Sequence, residues 1–424
     1  MRQITLFLLL CTCLTTRAAT EGDTARHVGY SVFVLPQWQI AMDEYERKWL
    51  RDKFAFSFGA ELNYRALPSD NDAFAEDYNY PTLSAGLKLS LNNGVTMRRT
   101  ADPSWGKAQM VDYDSRLGDM VTLYGSFTRP LLRRGRWELN YMLRAGVGYG
   151  PFIYNKKDNI DNELIGSAFN IYFGAGITAS YQITSDLAIT AGLLYGHHSN
   201  GALARPNKGE NHFGPMVGVR SLPTAPAPHT APEGDTNVCR QGIEASSGAV
   251  GGAYLDFRLG LGGKTLLEDW QKTQFYTEPD EPDYRTEDFH FYMSYSASAA
   301  FMYRYARRWA SGIGADVYYG TYYKHVRDLD EAAGRTVPHS PWSIGISARH
   351  EVYYHNLSLD LALGIYLHRQ MGSNAKEVEQ PYYERVGVFY TFPKLGHLKI
   401  GASVQAHRTK ADLTELQVSF PVRL

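Results

Sequence analysis

Leu416-Gln417-Val418-Ser419-Phe420-Pro421-Val422-Arg423-Leu424 is the stretch on which the fold turns. Every second residue is apolar, and the residues between are Gln, Ser, Pro and Arg. Successive side chains of a strand point to opposite faces, so this segment has one fully apolar face and one polar face. A soluble sandwich also alternates. The difference lies in how often the pattern recurs and in what the second face carries. Trp137, Leu139, Tyr141, Leu143, Ala145, Val147 and Tyr149 form one row, and Glu138, Asn140, Arg144, Gly146 and Gly148 the other. Phe169 to Tyr181, Phe289 to Tyr305, Leu357 to Leu367 and Leu398 to Ala406 repeat the scheme. The polar rows carry charges such as Arg144, Asp316, Asp360 and Lys399. Such charges are costly in a sandwich core but point into the wet lumen of a membrane barrel.

Composition agrees. The chain has 30 Tyr, and aromatic residues make up 13%, as expected where aromatic girdles flank an apolar band. Mean hydropathy is −0.34, too low for a bundle of membrane helices. With 43 basic and 44 acidic residues there is no electrostatic footprint for nucleic acid. Arg2, the apolar run Ile4–Leu14 and the small residues of Thr16-Arg17-Ala18 predict a cleaved signal peptide over residues 1–18. A lipoprotein signal ending at Cys11 or Cys13 is the alternative. The mature chain then keeps Cys239 alone, which excludes an internal disulfide and a cysteine-based metal site.

Short turns at 184–186, 306–308, 355–356 and 393–396 alternate with long polar links at 92–118, 151–166, 264–287, 324–341 and 370–381. Short turns belong on the periplasmic side of an outer-membrane barrel and long loops outside. The expectation is an all-β fold: one transmembrane antiparallel barrel of about 14–16 strands over residues 19–424. The run 221–248, rich in Pro, Ala and Thr, fits badly. It falls on the periplasmic side, so it is either an insertion or a slip in the strand count. The acidic runs Glu278–Asp283 and Asp328–Glu331 read as solvated loops without ligand spacing for a metal.

The chemistry concentrates in residues 187–220. Leu187, Ile189, Ala191, Leu193 and Tyr195 form a lipid-facing row, and the same parity continues to His197 and Ser199. If the strand runs that far, imidazole and hydroxyl project side by side, about 6–7 Å apart at Cα. That is the base–nucleophile arrangement of acyl transfer. A polar pair on a lipid-facing row is expensive, and an enzyme acting on a lipid ester has a use for it.

His197-His198-Ser199-Asn200-Gly201, followed by Pro206-Asn207-Lys208-Gly209, resembles the His-x-Ser-Asn and Asn-x-Gly motif of the outer-membrane lipid A 3-O-deacylases, the acyloxyacyl hydrolase family. The motif spans about 25 residues, and the family's better-known members are shorter, eight-stranded barrels. The resemblance implies an integral outer-membrane esterase that removes the 3-O-linked acyl chain of lipid A, with its site facing the outer leaflet. Lipopolysaccharide would be its substrate. Ser199 would be the nucleophile and His197 the general base. Asn200, with backbone N–H groups near Gly201 and Ala202, would bind the oxyanion. Asn207 and Gly209 would shape the motif loop. No metal or organic cofactor is implied.

One departure concerns the acid that orients the histidine. The family's position falls on Asn211, and Glu210 lies one residue early. Asn211 shares the parity of Phe213, Pro215, Val217 and Val219, whereas Glu210 points the other way unless the loop breaks the register. The parity favours Asn211, and Glu210 is the alternative. His198 has lumen parity. A different class remains open: a porin-like or structural barrel with a vestigial motif, whose lumen charges Arg144, Asp316 and Arg349 suit it equally. A soluble β-rich surface protein is a third. The sequence does not fix the oligomeric state or the acyl-chain preference.

Overall fold

A computed structural model describes residues 27–221, 252–379 and 381–424. The expected signal peptide, Cys239 and the run from 222 to 248 lie outside the described residues. The chain divides into two compact units.

The strands of the first are β1 (Val28–Gln39), β2 (Leu50–Arg65), β3 (Thr82–Leu91), the short β4 (Val95–Met97) and β5 (Ser115–Arg116), β6 (Met120–Arg134), β7 (Trp137–Tyr149), β8 (Phe169–Gln182), β9 (Leu187–Ser199) and β10 (Glu210–Ser221). The ladder runs β1-β10-β9-β8-β7-β6-β3-β2, and β2 pairs back onto β1. This closes an antiparallel barrel of eight strands, and β4 and β5 extend one end of β2. A short helix, α1 (Glu44–Trp49), joins β1 to β2.

The second unit contains β11 (Gly252–Thr265), β12 (Phe291–Ala306), β13 (Trp309–Gly320), β14 (His339–Tyr354), β15 (Leu357–Met371), β16 (Tyr382–Phe392), β17 (Leu398–His407) and β18 (Lys410–Arg423). β11 pairs with both β12 and β18, so these eight strands form their own closed barrel.

The expected single barrel is therefore corrected to two. The total of sixteen barrel strands agrees with the sequence reading, but hydrogen bonding closes twice. Alternation specifies which face a residue occupies, not which strand completes the ladder. The misfit segment after Ser221 is explained as well: it connects the last strand of one barrel to the first of the next.

Both barrels turn their apolar rows outward. Leu416, Ile313 and Leu363 are 69%, 70% and 68% exposed, while Arg144, Asp316, Asp360 and Lys399 are buried inside. An eight-stranded barrel is just wide enough for side chains to fill. In the first, Phe33, Leu35, Tyr124, Met142, Tyr172, Leu194 and Met216 pack together. Arg144 is held by Glu61 at 2.7 Å with Phe33 and Tyr124 against its guanidinium. The second lumen is ionic. Asp316 meets Arg349 and Arg385 at 2.8 and 3.1 Å, Arg258 bridges Asp256 and Asp360, and Lys399 meets Glu351.

At one end of each barrel the connections are mostly tight turns, and at the other they are mostly long. One long link carries a helix the sequence reading did not foresee, α2 (Tyr323–Ala332). Its Asp330 is buried and bonded to Ser373, Arg335 and His339, so part of that acidic run is structural rather than solvated.

Candidate active site

The site is built on the hairpin β9–β10 of the first barrel. Ile189, Leu193, Phe213, Val217 and Val219 are exposed on its outer face, as parity requires. The strand does continue through His197 and ends at Ser199. In register, Asn211 lies opposite His197, and Glu210 opposite His198.

That register decides the partner of His197. Its Nδ1 lies 2.8 Å from Asn211 Oδ1. The Tyr195 hydroxyl donates to the same oxygen at 2.6 Å. Asn211 Nδ2 donates to the Gly209 carbonyl at 3.1 Å, and Asn211 N to Gln39 Oε1 at 2.9 Å. With its NH2 committed to Gly209, the Asn211 amide can only offer oxygen to His197. The imidazole must then carry its proton on Nδ1, leaving Nε2 as the basic nitrogen. Asn211 thus supplies the orientation that an acid gives in a Ser-His-Asp arrangement, without the charge.

The Glu210 carboxylate turns away from His197. It is fully buried in the lumen, 2.6 Å from His212 Nδ1 and 3.3 Å from His198 Nδ1. His198 also bonds Thr122 at 3.0 Å and stacks on Tyr172. The strand parity holds through the loop, and Glu210 belongs to a lumen cluster.

Gly209 explains the glycine of the motif. Its φ is +85°, which favours glycine, and a Cβ there would stand 2.6 Å from His197 Cε1. The imidazole lies against this bare backbone. Lys208 N and Gly209 N donate to the carbonyls of Glu163 and Leu164 at 3.1 and 2.9 Å.

Residues 200–207 carry bonds of their own. Asn207 Oδ1 accepts from Asn200 N at 2.9 Å, and Asn200 Oδ1 accepts from Ala204 N at 3.2 Å. Gly201 and Ala202 both have positive φ, so the chain turns sharply just after the serine. Asn200 Nδ2 is buried with no hydrogen-bond partner among the described residues, a donor free to serve a ligand. Among the described residues the Ser199 hydroxyl forms no hydrogen bond, to His197 included. Gln39 and the Glu163–Leu164 carbonyls went unread in the sequence, and Tyr195 was read only as a member of the lipid-facing row. Tyr195 alone had a signal, its place two residues before His197 on the same row.

The second barrel lacks this hairpin. β17 and β18 are joined by Arg408 and Thr409 alone, and His407 is buried inside. His407, Glu379 and Asp412 lie close enough to hold a metal. Their charges are already met by Lys264 and Arg369, and the Tyr366 hydroxyl lies 2.7 Å from His407.

Closed antiparallel barrels with apolar outer walls are transmembrane β-barrels of the outer-membrane type. The chain belongs to the lipid A 3-O-deacylase family. The family model described as lipid A 3-O-deacylase (PagL) matches residues 33–220, and that of the acyloxyacyl hydrolase C-terminal domain matches residues 253–423. The two matches fall on the two barrels. Membership makes this an outer-membrane hydrolase of the lipid A deacylase class. Among solved structures, Neisserial surface protein A is 12% identical, covering 47% of this chain and 99% of that one, with a TM-score of 0.27. A de novo designed transmembrane β-barrel is 14% identical, covering 48% and 98%, with a TM-score of 0.21. A triple mutant of the Rhodopseudomonas blastica porin is 8% identical, covering 94% and 100%, with a TM-score of 0.16. No curated protein matches the chain.

Proposed function

We propose that the first barrel hydrolyses the 3-O-linked acyl ester of lipid A from the outer leaflet, with Ser199 as nucleophile and His197 as general base. The observation that carries this reading is the His197–Asn211 bond, at 2.8 Å on the outer wall of a strand that ends at Ser199. Nothing in barrel construction calls for an oriented imidazole among lipid-facing residues.

In this reading the acyl chain lies along the apolar wall, where Ile171 and Phe173 stand opposite Ser199 and His197. His197 Nε2 takes the Ser199 proton as Oγ attacks the ester carbonyl. Asn200 Nδ2 and backbone N–H groups near Gly201 and Ala202 hold the oxyanion. Such donors are typically worth about 3 kcal/mol in the transition state. The imidazolium returns its proton to the departing sugar hydroxyl. Water, deprotonated by His197, then releases the fatty acid and restores Ser199.

The test is mass spectrometry of lipid A from a host lacking the activity, expressing wild type or Ser199→Ala. Loss of one hydroxyacyl mass with wild type only is the expected result. Unchanged lipid A with both proteins, each folded and inserted, would sink the proposal.

A further inference from the structure

Four connections of the first barrel meet at a buried ionic cluster beside the candidate site. Arg99 follows β4, Asp161 and Glu163 lie between β7 and β8, Tyr45 belongs to α1, and Lys208 lies between β9 and β10. Arg99 N donates to Asp161 Oδ2 at 2.9 Å, and Arg99 Nη1 reaches Asp161 Oδ1 at 3.5 Å. Arg99 Nη2 pairs with Glu163 Oε1 and donates to the Tyr45 hydroxyl at 3.1 Å. Tyr45 in turn donates to the Glu163 carboxylate at 2.7 Å. Arg99, Asp161 and Glu163 are each at most 2% exposed.

Replacing a buried ion pair by apolar side chains is often neutral or stabilising. Stability alone therefore does not account for this cluster, whereas geometry does. The Glu163 side chain is held by Arg99 and Tyr45, while its backbone carbonyl, with that of Leu164, receives the N–H groups of Lys208 and Gly209. Gly209 is the backbone against which the His197 ring rests, and its carbonyl fixes the Asn211 amide. A planar fork reaching Asp161, Glu163 and Tyr45 together is something guanidinium offers and ammonium does not.

We propose that Arg99 is a positioning residue for the deacylase reaction. Through Glu163 it sets the height of Gly209, and through Gly209 the aim of the His197 imidazole. The inference rests on the reading of Ser199 and His197 as catalytic. It extends that reading to a residue about 100 positions away in sequence from the motif.

The experiment uses the full chain in mixed micelles with lipid A. It measures kcat and KM, the rate of Ser199 labelling by a fluorophosphonate probe, and the heat-modifiable gel shift of the folded barrel. Arg99→Met should lower kcat and the labelling rate together by tenfold or more, with KM within twofold and the gel shift retained. Arg99→Lys should fall between the two. Arg98→Met, at a neighbouring cation whose side chain faces Asp114 instead, should match wild type. A role in stability alone would shift unfolding and leave labelling of the folded protein unchanged. A folded Arg99→Met with wild-type kcat and labelling would overturn the proposal. Should Arg99→Met fail to insert, Arg99→Lys and Asp161→Asn decide it by the same criterion. Wild type that neither deacylates nor labels at Ser199 would overturn the catalytic reading beneath it, an outcome distinguishable because it needs no Arg99 variant.

Discussion

In the proposed reaction the His197 imidazole serves in only one tautomer, and Asn211 is placed to select it. Asn211 Oδ1 accepts from both His197 and Tyr195, and its NH2 is occupied by Gly209. Asn211→Ala removes the acceptor, so the ring is free to turn or to carry its proton on Nε2. Deacylation should fall about 10- to 100-fold, equivalent to about 1.4–2.7 kcal/mol of barrier, with Ser199 labelling slowed in parallel and the gel shift unchanged. Glu210→Gln should do the reverse. It removes the carboxylate that His198 and His212 both approach in the lumen, and a buried polar group left without its partner costs about 1–3 kcal/mol. Urea unfolding should register that cost while the labelling rate of the folded protein stays at wild type. At this scale much was legible. Period-two parity alone put His197, Ser199 and Asn211 on one row and Glu210 on the other. The contact of Gly209 with the imidazole was not, because it depends on a loop curling back over a strand, and periodicity says nothing about loops.

Connections, rather than strands, give the hairpin β9–β10 its chemistry. The same pair of positions in the second barrel, β17–β18, is closed by two residues and has no room for a motif loop. In the first barrel the loop is braced by α1. Asp43 accepts from Glu46 N at 2.8 Å at the start of that helix and pairs with Lys208 at 2.9 Å. Glu46 is buried there, its carboxylate accepting from Met42 N. Burial pushes its pKa up to about 7, with Asp43 and Glu163 adding to the rise and the Met42 bond and Lys208 opposing it. A raised carboxyl pKa contributes stability that is full below the unfolded value of about 4.5 and is lost as pH climbs through 7. The brace should therefore be tighter at pH 5 than at pH 8 by a contribution of order 2–3 kcal/mol. Chymotryptic cleavage within residues 40–49, taken as the ratio of wild type to Glu46→Gln, should rise across that interval. A flat ratio would mean that Glu46 does not titrate between pH 5 and pH 8. Turn and loop positions were readable from Gly, Pro and Asn content, so the long links fell where predicted. Their helices were missed, because α1 and α2, of six and ten residues, are too short to stand out as a periodic stripe.

For the whole molecule, the same alternation that identified the strands concealed their grouping. A strand of a sixteen-stranded barrel and one of an eight-stranded barrel have the same parity, since both face lipid on one side and a polar lumen on the other. Only closure tells them apart. β1 bonds to β10 and β2, and β11 bonds to β18 and β12, so each ladder is complete without the other. The signal present in the sequence was the Pro-, Ala- and Thr-rich run after Ser221, too long for a turn between paired strands. Complete ladders also leave no open edge that would require the second half as a partner. Expressed separately behind a secretion signal, residues 27–221 and residues 252–424 should each insert and give its own heat-modifiable gel shift. Only the first carries His197, Ser199 and Asn211, so only the first should label with a fluorophosphonate and remove an acyl chain from lipid A, at a rate within a few-fold of the full chain. If the first half inserts and shifts on the gel but stays unlabelled while the full chain is labelled at Ser199, the assignment of catalysis to a self-sufficient first barrel fails, and the second barrel becomes a participant in the reaction.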